Sequence, residues 1–449
     1  MWASMIQPSH PHATAIILAA GLGTRMKSRL PKAAHAIAGR PMLRHLLAAA
    51  EQVFGKIAVV VGPEMEALAR LVAPHAVMVQ HERLGTAHAA LQAASAFGDG
   101  DVAVLFADNP LISAVTLRRL LDRSAQQRTG LALMAMRPAD PARYGRLVMR
   151  DGNVARIVEW ADASEAERAI TLCNAGALCG QAARVLTWLR AIRADNAKGE
   201  YYLTDLVGLA VADGQPVTAV EAPEAELRGI NSRAELAAAE AELQQALRDA
   251  AMEGGATLVA PETVFFSWDT RLGPDSVVGP HVVFGPGVVV DGPAEIRAFS
   301  HLEGCHVQAG AVVGPYARLR PGTVLEEGAH VGNFVELKAA RLGAGAKANH
   351  LTYLGDAEIG PGSNIGAGTI TCNYDGYDKH RTTIGARVFV GSDTVLVAPV
   401  SLGDGAFIAA GSVVTKNVAP DALAFGRARQ AELPGGAARF RAAHAKGKA

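Results

Sequence analysis

The stretch VGPHVVFGPGVVVDGPAEIRAFSHL, residues 278–302, carries a large apolar residue at every sixth position: Val278, Phe284, Val290, Ile296 and Leu302. A period of six matches neither a helical turn nor a simple hairpin meander, and it is typical of a parallel β-helix. In that fold each hexad forms one short strand and one turn, and three hexads complete a coil. The apolar side chain points into a narrow prism, and the small residue that follows it fits the corner.

The same period continues beyond Leu302 as far as residue 414. The further apolar positions are Val307, Val313, Leu319, Leu325, Val331, Leu337, Leu342, Ala348, Leu354, Ile359, Ile365, Ile384, Val390, Leu396, Leu402, Ile408 and Val414. One segment, Cys372–Thr383, is polar, aromatic and out of register. We expect this segment to leave the prism. Insertions of this kind often carry function in repeat proteins, although a plain solvated loop is the alternative.

The first half of the chain has a different pattern. Short apolar runs alternate with helical patterns: the runs are Thr14–Ala19, Lys56–Val61, Val102–Phe106 and Leu131–Ala135, and the helices are Met42–Phe54 and Thr86–Ala96. Such runs suit parallel strands that crossover helices cover on both faces. The pattern therefore predicts a Rossmann-like α/β domain with a mostly parallel sheet, whose ligands bind at the carboxyl ends of the strands.

A helix is predicted between the two halves. Leu236, Leu243 and Leu247 form one apolar stripe, Ser232 can cap the helix, and Gly254-Gly255 can end it. The expected organisation is an N-terminal extension (1–13), an α/β domain (14–231), a helical linker (232–255), a β-helix domain (256–430) and a basic, solvated C-terminal tail (431–449).

The composition excludes several classes of protein. The 449 residues include 43 basic and 43 acidic side chains, and half of the residues are hydrophobic. This balance disfavours disorder and binding to nucleic acid or an anionic membrane surface. The chain lacks an apolar run long enough to span a bilayer, and its start lacks the pattern of a secretory signal. Four cysteines without paired spacing suggest reduced thiols, and we expect a cytoplasmic protein with no membrane or nucleic-acid partner.

A glycine-rich segment follows the first predicted strand. It reads LAAGLGTRM, residues 18–26, and Pro31-Lys32 comes shortly after it. The glycines let backbone N–H groups approach a polyphosphate, and Arg25 and Lys32 supply the positive charge that its transfer requires. The segment lacks the P-loop pattern and the third glycine of the dinucleotide fingerprint. A P-loop kinase or ATPase is therefore disfavoured, and the segment resembles that of the sugar-phosphate nucleotidyltransferases.

Several further motifs occur in the order found in sugar-phosphate nucleotidyltransferases. They are residues 80–89 (QHERLGTAHA), 144–146 (YGR), 157–159 (IVE), 199–205 (GEYYLTD), 229–231 (GIN), 317–322 (ARLRPG), 332–338 (GNFVELK) and 350–356 (HLTYLGD). Over residues 14–430 the chain resembles the bifunctional bacterial family that combines N-acetylglucosamine-1-phosphate uridyltransferase with glucosamine-1-phosphate N-acetyltransferase. The resemblance implies a left-handed parallel β-helix of hexapeptide repeats in the second half and synthesis of UDP-N-acetylglucosamine.

The resemblance assigns site residues in the first half. The UTP and UDP-sugar positions are Leu18, Ala19, Ala20, Gly21, Lys32, Gln80, Gly85, Thr86, Phe106, Ala107, Asp108, Gly145, Glu159, Asn174 and Asn231. Arg25 and Lys32 face the phosphates, and Asp108 and Asn231 are the implied Mg²⁺ ligands. A hard cation with oxygen ligands suits attack of a sugar phosphate on the α-phosphorus of UTP. Positioning and electrostatics then suffice, and no protein nucleophile is needed.

Two positions depart from the family pattern. Phe106-Ala107-Asp108 stands where the family has Tyr-Gly-Asp, and Ala161 stands where a lysine is expected. These changes predict a working uridyltransferase that is slower than its relatives. An acetyltransferase with a weakened or altered uridyltransferase half is therefore the first alternative.

Acetyl transfer from a thioester to an amine requires a base, and His350 can serve near neutral pH. It lies two residues after the core position Ala348 and should point off the prism, near the segment Cys372–Thr383. The resemblance identifies His350 as this base and Arg320, Lys338, Tyr353 and Asn364 as the glucosamine-1-phosphate site. It places acetyl-coenzyme A against Ala367, Asn373, Tyr374, Ser392, Ala410 and Arg427.

A single prism has flat faces, so a pocket should form between neighbouring prisms, in agreement with the homotrimer that the resemblance implies. The second alternative is a non-catalytic assembly subunit, because regulatory subunits also combine these two folds. Joint retention of Lys32, Asp108, Asn231 and His350 argues against it.

Overall fold

The computed structural model describes residues 7–127, 130–141, 144–196 and 199–445. Two compact units divide the chain, Met1–Gln244 and Gln245–Ala449. In the described part of the chain there is no helix with the length and apolarity needed to cross a membrane.

The described residues of the first unit form eleven strands and nine α-helices, the last of which continues into the second unit. The strands are β1 His10–Leu18, β2 Ala36–Ile37, β3 Arg40–Pro41, β4 Phe54–Val61, β5 Ala76–Val79, β6 Asp101–Phe106, β7 Leu131–Met136, β8 Arg146–Arg150, β9 Asn153–Val158, β10 Cys173–Gln181 and β11 Val217–Glu221. The helices are α1 Met42–Glu51, α2 Glu66–Val72, α3 Thr86–Gln92, α4 Ala114–Gln127, α5 Glu165–Arg168, α6 Ala182–Ala191, α7 Asp205–Ala212, α8 Glu224–Leu227 and α9 Arg233–Glu253. Short 3₁₀ turns occupy Thr24–Met26, Lys32–Ala34 and Ala94–Ala96.

The central sheet has the strand order β11-β7-β10-β6-β1-β4-β5, and the hairpin β8–β9 pairs with β10. All neighbours along this path are parallel except β10, which runs antiparallel to both β6 and β7. Successive strand residues pack in separate apolar clusters, as Ile16 and Ile17 do. This alternation means that helices cover both faces of the sheet. The predicted α/β class and mostly parallel sheet are confirmed.

Element boundaries differ from the sequence prediction in three places. Phe54, predicted to end helix α1, begins strand β4 and pairs with His10. The helix predicted to reach Ala96 ends at Gln92 and is followed by a 3₁₀ turn. Strand β1 begins at His10, inside the predicted extension. Strand pairing extends both β1 and β4 toward the amino terminus because each supplies backbone partners for the other.

Helix α9 begins and ends as predicted. The Ser232 hydroxyl accepts a hydrogen bond from Glu235 N at 3.2 Å, which caps the helix. The helix ends at Glu253, directly before Gly254-Gly255. Leu236 and Leu243 pack in a cluster of the first unit, and Leu247 packs against the core of the second. The predicted apolar stripe is thus partly buried along its length.

The second unit is a stack of coils whose strands form three parallel columns. The first column contains β12 Thr257–Leu258, β14 Val277–Val278, β17 Glu295–Ile296, β20 Val312–Val313, β23 His330–Lys338, β25 Lys347–Gly355, β27 Asn364–Ile365, β30 Phe389–Val390, β33 Phe407–Ile408 and β35 Leu423–Ala424. The second contains β15 Val283–Phe284, β18 His301–Leu302, β21 Arg318–Leu319, the second halves of β23 and β25, β28 Ile370–Cys372, β31 Val395–Val397 and β34 Val413–Val414. The third contains β13 Arg271–Leu272, β16 Val289–Val290, β19 Cys305–Val307, β22 Thr323–Leu325, β24 Arg341–Leu342, β26 Ala357–Ile359, β29 Thr382–Ile384 and β32 Val400–Leu402.

Every apolar position that the six-residue period predicted is buried, and the most exposed of them, Val414, is only 7% exposed. Strand β14 pairs with β17 in register, Val278 with Ile296, so that three hexads separate adjacent coils. The predicted β-helix and its coil length are confirmed. Helix α10, Gly436–Ala445, follows the last coil and is exposed.

The corner between the first and second columns carries a left-handed backbone residue in each coil. Phe299, Tyr316, Phe334 and Leu351 have φ values of 60°, 57°, 57° and 47°. The first three rings stack along the corner, with centroid distances of 4.9 Å and 5.4 Å. Stacking offsets part of the cost of a positive φ in residues that have a Cβ.

The polar insertion is shorter than predicted. Cys372 belongs to β28 and Thr382–Thr383 to β29, so the insertion comprises residues 373–381. The carboxylate of Asp375 accepts hydrogen bonds from Tyr377 N and Asp378 N, each at 2.8 Å, and lies 2.7 Å from His380 Nε2. These three bonds hold the insertion in a compact turn that leaves the prism as expected.

The burial pattern predicts the stability effect of truncations in one strand, β18. Leu302 is fully buried, whereas His301 points outward. We expect Leu302→Ala to reduce the free energy of unfolding by about 2–5 kcal/mol, because it leaves a cavity in a close-packed prism. The control His301→Ala should change it by less than about 1 kcal/mol. Denaturant unfolding of both variants measures the difference, and equal effects would contradict the assigned register.

Candidate functional sites

The carboxyl ends of strands β1 and β6 meet at one edge of the sheet. The strands are parallel neighbours with Leu18 opposite Phe106, and Ala107 N donates to Leu18 O at 3.0 Å. The glycine-rich segment leaves β1 at this point, and Asp108 lies two residues after the end of β6. Parallel pairing therefore brings two motifs that are far apart in sequence to the same rim.

A cavity of about 350 Å³ opens at this rim. Eleven of the predicted positions line it: Leu18, Ala19, Ala20, Gly21, Lys32, Gln80, Gly85, Thr86, Phe106, Ala107 and Asp108. Gly85 has a φ of 120°, and a Cβ there would lie 2.4 Å from Tyr201 O, so only glycine fits. Gln80 is almost fully buried and donates to Gly85 O at 3.1 Å.

Lys32 joins the two implied metal ligands. Its Nζ lies 2.6 Å from Asp108 Oδ2 and 2.9 Å from Asn231 Oδ1. The Lys32 and Asp108 side chains are only 16% and 22% exposed. The backbone holds this meeting point in place, because Ile230 N donates to Asp108 O at 2.8 Å and Asn231 N to Glu235 Oε2 at 2.6 Å. Two oxygens from distant parts of the chain thus converge on one cation.

A second cavity of about 180 Å³ lies next to the first and shares Thr86, Phe106 and Tyr202 with it. Glu159 and Asn174, two predicted sugar positions, line it together with apolar side chains. Gly145 lies beside them: Asn174 N donates to Gly145 O at 2.8 Å, and a Cβ on Gly145 would lie 3.6 Å from Glu159 Oε1. The predicted sugar positions are therefore adjacent.

A buried arginine supports this second cavity. Arg146, 1% exposed, donates to Pro141 O at 3.1 Å and to Arg168 O at 3.3 Å, and its guanidinium lies 5.2 Å from the centre of the Trp160 ring. Arg146 follows Gly145 directly and pairs with Cys173 of β10. This pairing and the side-chain bond to Pro141 O hold the backbone around Gly145 in place.

The two departures from the family pattern have different surroundings. Ala107 is 3% exposed and belongs to an apolar cluster of the core, so its methyl packs with other apolar groups. Phe106 packs against Gly176, where a Cβ would lie 3.2 Å from the ring. Ala161 is exposed. Arg25 is not one of the described residues that line the first cavity. It is exposed on the 3₁₀ turn Thr24–Met26.

Sequence reasoning missed three polar residues that line the first cavity: Arg83, Glu200 and Tyr202. Arg83 Nε donates to Ala20 O at 2.9 Å and so holds the beginning of the glycine-rich segment. All three lie in motifs quoted above, residues 80–89 and 199–205. Their presence in these two motifs was the signal that could have identified them as cavity residues.

In the β-helix, His350 lies at the corner between the first and second columns and is exposed, as predicted. Its strand β25 pairs with β23 so that His350 is opposite Asn333, and Nδ1 lies 2.9 Å from Asn333 Oδ1. The amide oxygen can only accept this hydrogen bond, so Nδ1 carries the hydrogen in the tautomer assigned here. The arrangement leaves Nε2 as the basic nitrogen.

Three of the implied coenzyme positions occupy the same corner on later coils. Asp393 N donates to Ala367 O at 2.7 Å, and Gly411 N donates to Ser392 O at 2.8 Å. Together with the pairing of Asn333 and His350, these bonds define a row of corner residues on successive coils: Asn333, His350, Ala367, Ser392 and Ala410. Arg427 lies beside the end of this corner row, because a Cβ on Gly411 would be 3.6 Å from its Cδ.

The implied phosphate-binding cations lie on the second column. Arg320 donates to Glu336 Oε1 at 2.9 Å, and this hydrogen bond raises the pKa of Arg320. Lys379, in the insertion, lies beside Lys338, and the closeness of the two amines lowers the pKa of Lys338. Two adjacent amines of this kind favour an anion between them. Sequence reasoning missed Lys379, which the insertion carries back to this column.

Two predicted residues differ from the expected arrangement. Asn364 lies on the first column, between Lys347 and Phe389, and therefore on another face than Arg320 and Lys338. Asn373 is buried, and its side chain donates to the Asp356 carboxylate. Tyr374 is 60% exposed on the insertion, with its hydroxyl 2.6 Å from Gly376 O. One chain thus does not gather the whole implied amino-sugar site on one face.

Comparison with known proteins identifies both units. Residues 15–250 match the MobA-like NTP transferase domain family, and residues 381–416 match the hexapeptide repeat of succinyl-transferase. The relatives include proteins named "Bifunctional protein GlmU". The one from Gluconacetobacter diazotrophicus is 67% identical, over 97% of this chain and 95% of its own length. Those from Acidiphilium cryptum and Granulibacter bethesdensis are each 62% identical, over 96% of this chain and 98% and 97% of their own lengths.

Two solved structures match the first half of the chain. A putative glucose-1-phosphate thymidylyltransferase from Bacillus anthracis is 19% identical over 51% of this chain and 94% of its own length, with a TM-score of 0.43. A UDP-glucose pyrophosphorylase complexed with UDP-glucose is 17% identical over 52% of this chain and 98% of its own length, also with a TM-score of 0.43.

The fold and the two sites define a nucleotidyltransferase joined to a hexapeptide-repeat acyltransferase. The chain belongs to the family of bifunctional GlmU proteins. It is accordingly an enzyme with two activities, UDP-N-acetylglucosamine diphosphorylase and glucosamine-1-phosphate N-acetyltransferase. The assembly-subunit alternative is therefore wrong.

Proposed function

We propose that the first cavity binds UTP and that the second binds N-acetylglucosamine-1-phosphate. Leu18–Gly21, Gln80, Gly85 and Thr86 hold the nucleoside, and Gly145, Glu159 and Asn174 hold the sugar. A phosphate oxygen of the sugar phosphate attacks the α-phosphorus of UTP, and pyrophosphate leaves. The observation that carries this proposal is the convergence of Lys32, Asp108 and Asn231 at the first cavity, which adjoins the second through Thr86, Phe106 and Tyr202.

The residues at this rim fit a magnesium ion. Asp108 supplies a carboxylate oxygen and Asn231 an amide oxygen, both ligands that Mg²⁺ accepts, and both already face one cation. Mg²⁺ usually takes only one or two protein ligands and completes its shell with water and substrate phosphates. This agrees with the absence of any cluster of three His, Cys, Asp or Glu among the described residues. When bound, the ion neutralises charge on the phosphates.

The chain's own cations contribute to the same transfer. Lys32 lines the cavity and, with Arg25 on the adjacent loop, supplies positive charge to the phosphates. Arg83 fixes the carbonyl of Ala20 through its hydrogen bond at 2.9 Å. No side chain forms a bond to phosphorus. The protein acts by positioning both substrates in line.

For the second unit we propose that His350 is the general base of acetyl transfer. The amine of glucosamine-1-phosphate attacks the thioester carbonyl of acetyl-coenzyme A, and its proton passes to His350 Nε2. The carbon–sulfur bond then breaks, and His350 returns this proton to the departing thiolate, so that coenzyme A leaves as the thiol. Arg320, Lys338 and Tyr353 hold the sugar phosphate, and Lys379 adds a further positive charge beside Lys338. The coenzyme lies along the corner row Ala367, Ser392 and Ala410, with Arg427 at its end and Asn373 and Tyr374 on the insertion.

A homotrimer completes this second site in the proposal. Asn364 lies on a different column from Arg320, so Asn364 of one chain can face Arg320 and Lys338 only across a boundary between neighbouring prisms. The proposed setting is the cytoplasm. There acetyl transfer comes first, and its product is the acceptor for uridyl transfer.

Chelation of divalent cations should separate the two activities. With excess EDTA we expect pyrophosphate release from UTP and N-acetylglucosamine-1-phosphate to fall to the enzyme-free blank. Release of coenzyme A in the presence of glucosamine-1-phosphate should stay within about twofold, because His350 chemistry needs no metal. Restoring Mg²⁺ should restore pyrophosphate release. Pyrophosphate release that persists in EDTA would contradict the assignment, and release far below that of a relative assayed in parallel would favour a weakened uridyltransferase half.

A further inference from the structure

The ammonium group of Lys32 lies between the two oxygens that the proposed function assigns to the metal. It is 2.6 Å from Asp108 Oδ2 and 2.9 Å from Asn231 Oδ1, both within normal hydrogen-bond distance. A lysine ammonium has three donors, so one group can satisfy both acceptors and neutralise the carboxylate. Lys32 thereby holds Asp108 and Asn231 together across 123 residues of sequence.

This position conflicts with the simultaneous binding of a divalent cation. Such an ion would contact the same two oxygens at about 2.0–2.1 Å, within the space that the ammonium now occupies. Two cations beside each other also repel strongly where side chains are mostly shielded from water. The oxygens of Asp108 and Asn231 can therefore serve Lys32 or the metal ion, and one excludes the other.

The surroundings of Lys32 allow its head group to move while its stem stays in place. Its backbone belongs to the 3₁₀ turn Lys32–Ala34, and its Cβ lies against Gly23, where an added Cβ would be 2.6 Å away. The side chain also lines the nucleotide cavity. Rotation about the side-chain bonds alone can turn the ammonium from the oxygens toward the cavity.

We infer that Lys32 is the resident counter-ion of the metal site and exchanges with the divalent cation. Without metal, Lys32 keeps the two ligands together and neutralises Asp108. When the divalent cation takes the two oxygens, the ammonium is released toward the phosphates of the nucleotide. The inference rests on the proposed assignment of Asp108 and Asn231. As a consequence, metal and nucleotide promote each other's binding. The nucleotide phosphates attract the Lys32 ammonium away from the two oxygens, and the metal ion then occupies the position that the ammonium has left.

Binding of Mn²⁺ to the full-length, nucleotide-free protein tests the exchange, with free Mn²⁺ followed by electron paramagnetic resonance. Lys32→Met should bind Mn²⁺ about tenfold more tightly or better than the unmodified protein, because the competing cation is gone. Arg29→Met, which removes an exposed charge from the same loop, should bind within about twofold. Asp108→Asn should lose this binding.

The outcomes separate the inference from the assignment on which it rests. If Asp108→Asn loses Mn²⁺ but Lys32→Met binds it no more tightly than the unmodified protein, the exchange is wrong and the ligands stand. If Asp108→Asn binds Mn²⁺ as the unmodified protein does, the ligand assignment fails and the exchange with it.

A second measurement needs no variant. Labelling of the unmodified protein with an amine-acylating reagent, read by peptide mass spectrometry, should modify Lys32 slowly without metal and several-fold faster with saturating Mn²⁺. Lys27 and Lys56, two exposed lysines, serve as internal controls with constant labelling. Unchanged labelling of Lys32 at saturating Mn²⁺ would overturn the exchange.

Discussion

Replacing His350 by alanine is expected to lower kcat for acetyl transfer by about 10²–10⁴-fold, the usual contribution of a general base. Asn333 orients the proposed base: Nδ1 is 2.9 Å from Asn333 Oδ1, which leaves Nε2 as the nitrogen that can accept a proton. Release of coenzyme A measures the loss. Uridyl transfer, followed as pyrophosphate release, should be unchanged because its residues belong to the other unit. Asn333→Ala should lower kcat by about tenfold, since it removes only the orienting partner.

His306→Ala is the matched control for this prediction. His306 is also a histidine of the β-helix, but it lies in the third column and pairs with Asp291 at 2.7 Å. Its removal should leave both activities within about twofold. Loss of both activities in a folded His350→Ala protein would contradict separate sites.

Replacing Asp108 by asparagine is expected to reduce uridyl transfer by about 10²–10³-fold, because it removes the negative charge that both Lys32 and the metal require. The substitution keeps the shape of the side chain, so the neighbouring bond between Ile230 N and Asp108 O at 2.8 Å can persist. Pyrophosphate release measures the effect, and coenzyme A release should stay within about twofold.

Asp122→Asn provides the control for charge removal in the same unit. Asp122 lies on helix α4, is 60% exposed and pairs with His10. Exposed pairs of this kind contribute little, so both activities should remain. A uridyl-transfer rate for Asp108→Asn within tenfold of the unmodified enzyme would rule out Asp108 as a metal ligand.

The β-helix could be predicted from sequence almost position by position. Its core is one residue wide, so that each hexad contributes one buried side chain and the pattern is local. Only its interruption was placed imprecisely: Thr382 and Thr383 looked polar and out of register, yet they pair with Ala357 and Glu358 in the third column. Threonine suits a strand, and its hydroxyl conceals that preference in a count of apolar residues.

The α/β unit was predictable in class but less so at its edges. Apolar runs indicated the strands, but Phe54 has no local feature that assigns it to β4 instead of α1. Its pairing with His10, across 44 residues, decides the matter. Tertiary contact of this kind overrides local propensity.

The candidate sites divide in the same way. Residues close together in motifs, such as Leu18–Gly21, were found because the motif itself is the signal. The contact of Lys32 with Asn231 depends on the tertiary fold and was not predicted; the resemblance suggested only that Asp108 and Asn231 share a metal ion. Lys379 escaped notice because its role depends on how the insertion folds back.

The corner row sets the length of the proposed coenzyme site by the number of coils that it spans. Adjacent coils are stacked at the spacing of neighbouring strands, about 4.8 Å. His350 and Ala410 are three coils apart along the row, a distance of roughly 14 Å by that spacing. The row can therefore lengthen or shorten only by whole coils, in steps of about 4.8 Å. An acyl carrier that lies along it must have a length that fits one of these steps.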